Sequence, residues 1–250
     1  MKIGIFSDVH GNTIALDAVL RNIAAEGVDG YWVIGDLVAL GPDPVGAVER
    51  LSALPNARFV RGNSDRYTLS GDARWATPSP EEPVPPEQML SLLEIHQRFV
   101  WARGAITGAR YYEWLASVPL EERITLPDGT KVLLVHAAPG TDDGRGMTAD
   151  MTDDELATAL EGADADLVIV GHTHVPLDRT TGEVRVHNLG NISLPKTDET
   201  RAMWTLLTAD ESGYTLDRRF TIYDIAAVKA AFDEVHHPSA SFLKGMFPTA

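Results

Sequence analysis

Seven side chains able to offer oxygen or nitrogen to a metal ion sit directly after hydrophobic runs in a chain of 250 residues. Asp8 and His10 follow KIGIFS, Asp36 follows YWVIG, Asn63 follows RFVRG, His136 follows KVLLV, and His172 and His174 follow DLVIVG. Singly, each has an ordinary explanation: a histidine at a strand end is most often structural, and an aspartate in a Gly-Asp turn most often caps a helix or fixes a loop. Jointly, seven ligand-type groups at five strand ends have few other uses. Carboxylate, imidazole and amide donors without a thiolate suit Mn, Fe, Zn or Ni and do not choose among them. Two such ions ~3.5–4 Å apart clamp phosphate oxygens and lower the pKa of a bound water from 15.7 towards ~7. A phosphoester needs that help, because it is anionic and repels free hydroxide.

The elements that carry these groups follow from hydrophobic periodicity. KIGIF (2–6), an amphipathic run with Leu16, Val19, Leu20 and Ile23 on one face, YWVIG (31–35), a short helix near 44–53 and RFV (58–60) alternate strand with helix. Such alternation implies a largely parallel sheet covered by helices, with ligands at the carboxyl ends of the strands. In one such sheet all five clusters emerge at a single edge. The pattern resumes with KVLLVH (131–136), a capping box TDDE (152–155) that starts a helix carrying Leu156 and Leu160, and DLVIVGHTH (166–174). EVRVHNL (183–189), RAMWTLLTA (201–209) and YTLDRRFTIY (214–223) read as antiparallel strands of a second sheet. A helix with Ile225, Val228, Phe232 and Val235 closes the fold, and the tail from His237 onward reads as loosely held, with His236 and His237 solvated.

Between these halves, ATPSPEEPVPP (76–86) carries five prolines and no apolar period, which reads as an exposed loop. Helical patterns follow at about 87–103 and 108–117. Residues 66–120 therefore read as a helical insertion, either a lid or a packed excursion. Ligand-type residues spread from position 8 to position 174 require one folded unit, so 1–250 is expected to be a single domain.

Composition narrows the function classes. Hydrophobic residues make up 44% and charged residues 23%, an ordinary globular balance. A net charge of −15 repels a nucleic-acid backbone, which disfavours a nucleic-acid partner; a local groove from Arg103, Arg110 and Arg145 is the alternative. Bound divalent cations would offset part of that charge. There is no cysteine, no basic leader and no apolar stretch long enough to span a membrane, so the expected setting is cytoplasmic. Homo-oligomerisation is left open.

The segments SDVHGN, GDLVALGPDP, RGNSD, the His136 strand and GHTH, in that order over residues 1–195, resemble the motifs of the calcineurin-like metallophosphoesterases, and the first two are similar to the small prokaryotic phosphodiesterase branch. The resemblance implies an α/β fold, a four-layer α-β-β-α sandwich of two mixed sheets. It implies that Asp8, His10 and His174 hold a first metal, Asn63, His136 and His172 a second, and that Asp36 bridges both. Asp36 and Asn63 then act in catalysis through a bridging hydroxide that attacks phosphorus in line. Of the divalent ions, Mn leads, with Fe, Zn, Ni or Mg as alternatives. The implied activity is hydrolysis of a small phosphorylated substrate, a phosphodiester or nucleotide. A dinucleoside polyphosphate hydrolase and a catalytically silent metal-binding scaffold are the alternatives.

One position departs from the family pattern. Many members carry a histidine that protonates the leaving group where this chain has Ser64, and a serine hydroxyl is a poor general acid near neutral pH. Targets with stable leaving groups are therefore expected. His96, in the inserted helices, is a candidate replacement acid. Asn12 and Asn188 are candidate phosphate contacts, with loop stabilisation as the alternative, and Asp65 is a candidate support for a metal-bound imidazole. Arg61 is not counted as catalytic, and His187 adjoins the site in sequence only.

Overall fold

The computed structural model describes residues 1–71, 85–195 and 200–248. Among the described residues, ten strands form two five-stranded mixed sheets, in the orders β10-β9-β1-β2-β3 and β4-β5-β6-β8-β7. In the first, β1 (Lys2–Phe6), β2 (Gly30–Ile34) and β3 (Ala57–Val60) run parallel, with β9 (Ala202–Asp210) antiparallel beside β1 and β10 (Gly213–Thr221) antiparallel beside β9. In the second, β5 (Lys131–Val135), β6 (Leu167–Val170) and β8 (Val184–Asn188) run parallel, edged by antiparallel β4 (Glu121–Thr125) and β7 (Leu177–Thr181).

Side-chain alternation assembles the layers. Successive residues of a strand face opposite ways, so a strand buried on both faces is hydrophobic throughout. Ile3 and Ile5 of β1, Trp32 and Ile34 of β2, Val132 and Leu134 of β5, and Leu167 and Ile169 of β6 meet between the sheets. Phe6 and Val33 turn outward onto α1 (Thr13–Ala25) and α2 (Pro44–Ser52), through Leu16, Val19, Val48 and Leu51. On the other flank Leu133, Val135 and Val168 pack on Leu156 and Leu160, at α6 (Asp153–Ala159) and its C-cap. The result is the four-layer α-β-β-α sandwich.

Two expectations are corrected. Only 184–188 of the three late strands belongs to the second sheet; β9 and β10 join the first, with Ile3 opposite Leu207 and Ile5 opposite Thr205. Alternation tells which faces of a strand are buried, not which neighbour pairs with it across some two hundred residues of chain. For the same reason the five ligand clusters do not leave one sheet edge: three follow strands of the first sheet and two follow strands of the second.

The tail is also packed. After α7 (Ile225–Glu234) a short α8 (Ala240–Gly245) buries Leu243 and, just beyond it, Phe247 against Val228, Phe232 and Leu194. His237 and Ser239 are buried as well, which corrects the solvated reading of His237. Val235 is exposed and ends the apolar face of α7.

Between the sheets in sequence lie α3 (Asn63–Ser70), α4 (Pro86–Gly108) and α5 (Tyr112–Ala116). Phe99 and Ala102 of α4 pack on Tyr67 of α3 and on Ala39, while Ile106 and Leu115 enter the layer beneath α1 and α2. Most of the proline-rich 76–86 segment lies outside the described residues.

Candidate metal centre

The loops after β1 and β2 are stitched together before any side chain is considered. Asp8 N–H donates to the Gly35 carbonyl at 3.0 Å, His10 N–H to the Asp36 carbonyl at 2.8 Å, and Gly11 N–H to the Leu37 carbonyl at 3.1 Å. This ladder brings Asp8, His10 and Asp36 together. The second sheet is tied in by Asp8 Oδ2, which accepts the His172 backbone N–H at 3.3 Å. Close approach also demands glycine. A Cβ on Gly62 would stand 2.0 Å from Asp36 Oδ1, and one on Gly35, whose φ is +76°, would stand 2.4 Å from His136 Nδ1.

The side chains converge in a pattern that hydrogen bonds do not satisfy. His174 Nε2 lies 3.2 Å from Asp8 Oδ1 and 3.1 Å from His10 Nε2. The two Asp36 oxygens each face a histidine, Oδ2 at 3.5 Å from His10 Nε2 and Oδ1 at 3.5 Å from His136 Nε2. Asp8 Oδ1 and His136 Nε2 are buried without a hydrogen-bond partner among the described residues. Buried polar atoms are nearly always paired, so crowded, unpaired ligand atoms fit a bound cation. Two overlapping trios meet this test, Asp8–His10–His174 and Asp8–Asp36–His136, each with ligand atoms within 4.8 Å of one another. The imidazoles are oriented as metal ligands usually are, by a carbonyl on the other nitrogen: Ile34 O lies 2.8 Å from His136 Nδ1, and Leu194 O lies 3.1 Å from His174 Nδ1.

Electrostatics agree with a site built for positive charge. Burial by itself raises the Asp36 pKa, but His136 and His10 overcome it and hold the carboxylate well below its ordinary value. Asp8 is likewise lowered on balance, burial being outweighed chiefly by His174. Burial lowers the His10 pKa to about 4, whereas for His136 the carboxylates of Asp36 and Asp8 outweigh burial and raise it to about 10. Five ligand-type residues, Asp8, His10, Asp36, His172 and His174, hold positive φ between 48° and 68°. Asp and His are among the residues that tolerate this region best, and its cost of about 1–3 kcal/mol each persists only where surroundings enforce it.

Asn63 and His172 stand beside this cluster and are bonded to each other, Oδ1 to Nδ1 at 3.0 Å; His172 Nε2 lies 2.8 Å from the Gly144 carbonyl. The family model of the calcineurin-like phosphoesterase superfamily domain matches residues 1–211. The chain belongs to this superfamily. Among solved structures, a metallophosphoesterase from Sphaerobacter thermophilus is similar over 98% of this chain and 98% of its own, with TM-score 0.72 and 24% identity. A hypothetical protein from Pyrococcus horikoshii OT3 matches over 98% of this chain and 97% of its own, with TM-score 0.80 and 18% identity. Both share the fold. An uncharacterized protein of Methanocaldococcus jannaschii is 27% identical over 251 residues, 93% of this chain and 91% of its own length. A symmetrical bis(5'-nucleosyl)-tetraphosphatase of Enterobacter sp. strain 638 is 28% identical over 139 residues, 55% of this chain and 43% of that relative's length.

In this member of the superfamily the remaining sequence candidates occupy different places. Ser64 lines the cavity above the cluster, donating its N–H to Asp36 Oδ1 and its hydroxyl to Asp36 Oδ2. Asp65 touches no imidazole among the hydrogen bonds described; it accepts the backbone N–H groups of Leu37, Val38 and Gly62. Burial and the neighbouring Asp36 charge raise its pKa to about 7. Asn12 caps α1 through Ala15 N–H and donates to the Ser193 carbonyl. Asn188 is buried among backbone groups of Met147, Gly171 and Gly190. His96 is exposed and does not line the cavity. Arg61 pairs with Asp142, and buried His187 with Asp178 and Thr205. Arg103 stacks near Tyr112 while Arg145 pairs with Glu155 and Asp150, so each has a local partner of its own.

Sequence reasoning missed Arg98. This residue of α4 is 7% exposed and lines the cavity with Ile95 and Phe99. The available signal was its place on the apolar stripe Ile95, Phe99, Ala102, Ile106, where a charged residue needs a reason. Among the described residues no helix is long and apolar enough to cross a membrane.

Proposed function

We propose that the chain is a metal-dependent phosphoesterase that hydrolyses phosphodiesters or nucleotides at a two-metal centre, with Mn as the leading ion. The observation that carries this reading is the convergence of Asp8, His10, Asp36, His136 and His174, with Asp8 Oδ1 and His136 Nε2 left unpaired. These five residues would hold the ions, Asp8 and Asp36 standing between the histidines, and Asn63 and His172 would complete the set from the rim. When bound, divalent ions there supply Lewis acidity towards phosphate oxygens and hydroxide near neutral pH. The chain's own part is orientation. Ser64 fixes both Asp36 oxygens, Ile34 and Leu194 set the ring directions of His136 and His174, and the ladder from Gly35 to Leu37 fixes the spacing of the two aspartate loops.

We read α4, within the 66–120 insertion, as the element that roofs the site, because its Ile95, Arg98 and Phe99 line the same cavity as His10 and Asp36. Ser64, bonded to Asp36, leaves the leaving group without an obvious acid and favours substrates whose leaving group is stable. The Enterobacter relative's name makes a dinucleoside polyphosphate the second reading.

The test is hydrolysis of bis-p-nitrophenyl phosphate beside p-nitrophenyl phosphate, by metal-stripped protein titrated with Mn²⁺, Ni²⁺, Zn²⁺ or Mg²⁺. Metal-dependent diester cleavage that disappears in Asp36→Asn is the expected result. Tight metal binding with no turnover of either ester would overturn it in favour of a silent scaffold.

A further inference from the structure

The cavity above the cluster has a volume of 220 Å³, below the ~300–1,000 Å³ of pockets that engulf a drug-sized ligand. The enclosed part therefore takes a compact group, such as a pair of linked phosphoryl groups, with any larger remainder outside. Among the described residues, and apart from the ligand-type histidines, its one cationic lining residue is Arg98. The guanidinium is fastened at one side only: Nε donates to Ser239 Oγ at 2.9 Å, and the group lies over the Phe242 ring, 4.4 Å from its centroid. Its terminal amino groups have no hydrogen-bond acceptor and no carboxylate partner among the described residues. Burial opposes its charge and outweighs the coulombic pull of Glu94, one turn earlier on α4, with which no ion pair is formed. A buried charge without a counter-ion is costly, and a guanidinium presents a planar fork matched to phosphate oxygens. In a chain of net charge −15, such a group placed over a phosphoesterase centre is what an anionic ligand would complete.

From this we infer that Arg98 binds a second phosphoryl group of the substrate, so that among phosphoesters the site favours those in which the phosphorus attacked is linked through oxygen to a second phosphoryl group. The inference rests on the proposed phosphoesterase activity and deepens it. Water oxygen bonds to the phosphorus at the centre while the bridging P–O bond breaks. The second phosphoryl group, itself esterified to the organic part, departs with the electron pair and the bridging oxygen as a phosphate monoester, whose second pKa is ~6, and a proton of the water passes to solvent. Such a leaving group needs no protonation near neutral pH, which suits Ser64, and its negative charge falls to Arg98. The adjoining Phe242, Phe99 and Met246 give the organic part an apolar wall.

The test is titration calorimetry of the Mn²⁺-loaded protein, in excess Mn²⁺, with methylenediphosphonate and with methylphosphonate. Arg98→Gln is expected to weaken the diphosphonate about 10- to 100-fold and to leave methylphosphonate unchanged, the loss appropriate to a charged hydrogen-bonded pair. Arg98→Lys keeps the charge without the fork and should fall between; it also reads the same ratio if the Gln variant does not fold. Equal weakening of both ligands would show that Arg98 only fastens α8 to α4, and unchanged diphosphonate affinity, or none in the wild type, would equally overturn the inference. A wild type that binds both phosphonates but cleaves no ester defeats the proposed activity while this comparison still reads Arg98.

Discussion

Ser64 is bonded twice to Asp36: its backbone N–H meets Oδ1 and its hydroxyl meets Oδ2, each at 2.9 Å. The carboxylate that faces both His10 and His136 is thus held from the start of α3. Ser64→Ala keeps the backbone bond and loses the other. We expect metal affinity to fall about 10-fold, as for other residues that orient a ligand, with no change in fold. Calorimetric Mn²⁺ titration measures it; an unchanged affinity would remove the orienting role.

Asp65 holds three buried backbone N–H groups, those of Leu37, Val38 and Gly62. Asp65→Ala leaves all three without their acceptor, at about 1–3 kcal/mol apiece before relaxation. Asp65→Asn keeps one acceptor oxygen and should cost less. Urea unfolding of the metal-free proteins should rank wild type above Asn above Ala, and the reverse order of the two variants would contradict this account.

The C-terminal segment offers a pH test remote from the metal ligands. Burial, with the charge of Arg98 added, lowers the His237 pKa to about 4 from the ~6.5 of an exposed histidine. Between those values the unfolded chain binds a proton that the folded chain refuses, so this stability is complete above pH ~6.5 and is lost as pH falls towards 4. Chemical denaturation across that window should show a shallower pH dependence in His237→Gln than in the wild type. Identical slopes would dissociate His237 from the effect.

Leu243 is fully buried against Val228, Phe232 and Phe247, and it also lines the cavity. Leu243→Ala should cost about 2–5 kcal/mol, the range for truncation in a packed core. A loss well under 1 kcal/mol would mean that α8 frays.

Much of the centre was legible because its ligands follow apolar runs. KIGIF, YWVIG, KVLLV and LVIV are hydrophobic on both faces, so their strand character and the turn after each are plain in the sequence. Which sheet a strand joins is another matter. MWTLLTA is as hydrophobic as a central strand of either sheet, and only its pairing with β1 decides. The edge strands EERIT and LDRTT carry too few apolar residues to register at all. Arg98 was hidden differently: one charge on an otherwise apolar helix stripe acquires meaning only when α8 brings Ser239 and Phe242 to it. Leu243 and Phe247 were overlooked because they are spaced among Ser, Lys, Gly and Pro, and their burial depends on α7 lying alongside.

The left-handed backbone at Asp8, His10, Asp36, His172 and His174 also constrains how this chain can change over generations. β-branched residues fit that geometry badly, whereas glycine and asparagine accept it. A lineage abandoning hydrolysis would therefore drift at these five positions towards Asn or Gly, keeping the loops and the sandwich intact after the metals are gone. Descendants of such a chain would keep the shape of a phosphoesterase long after its chemistry, and the replacements at these positions would tell the two apart.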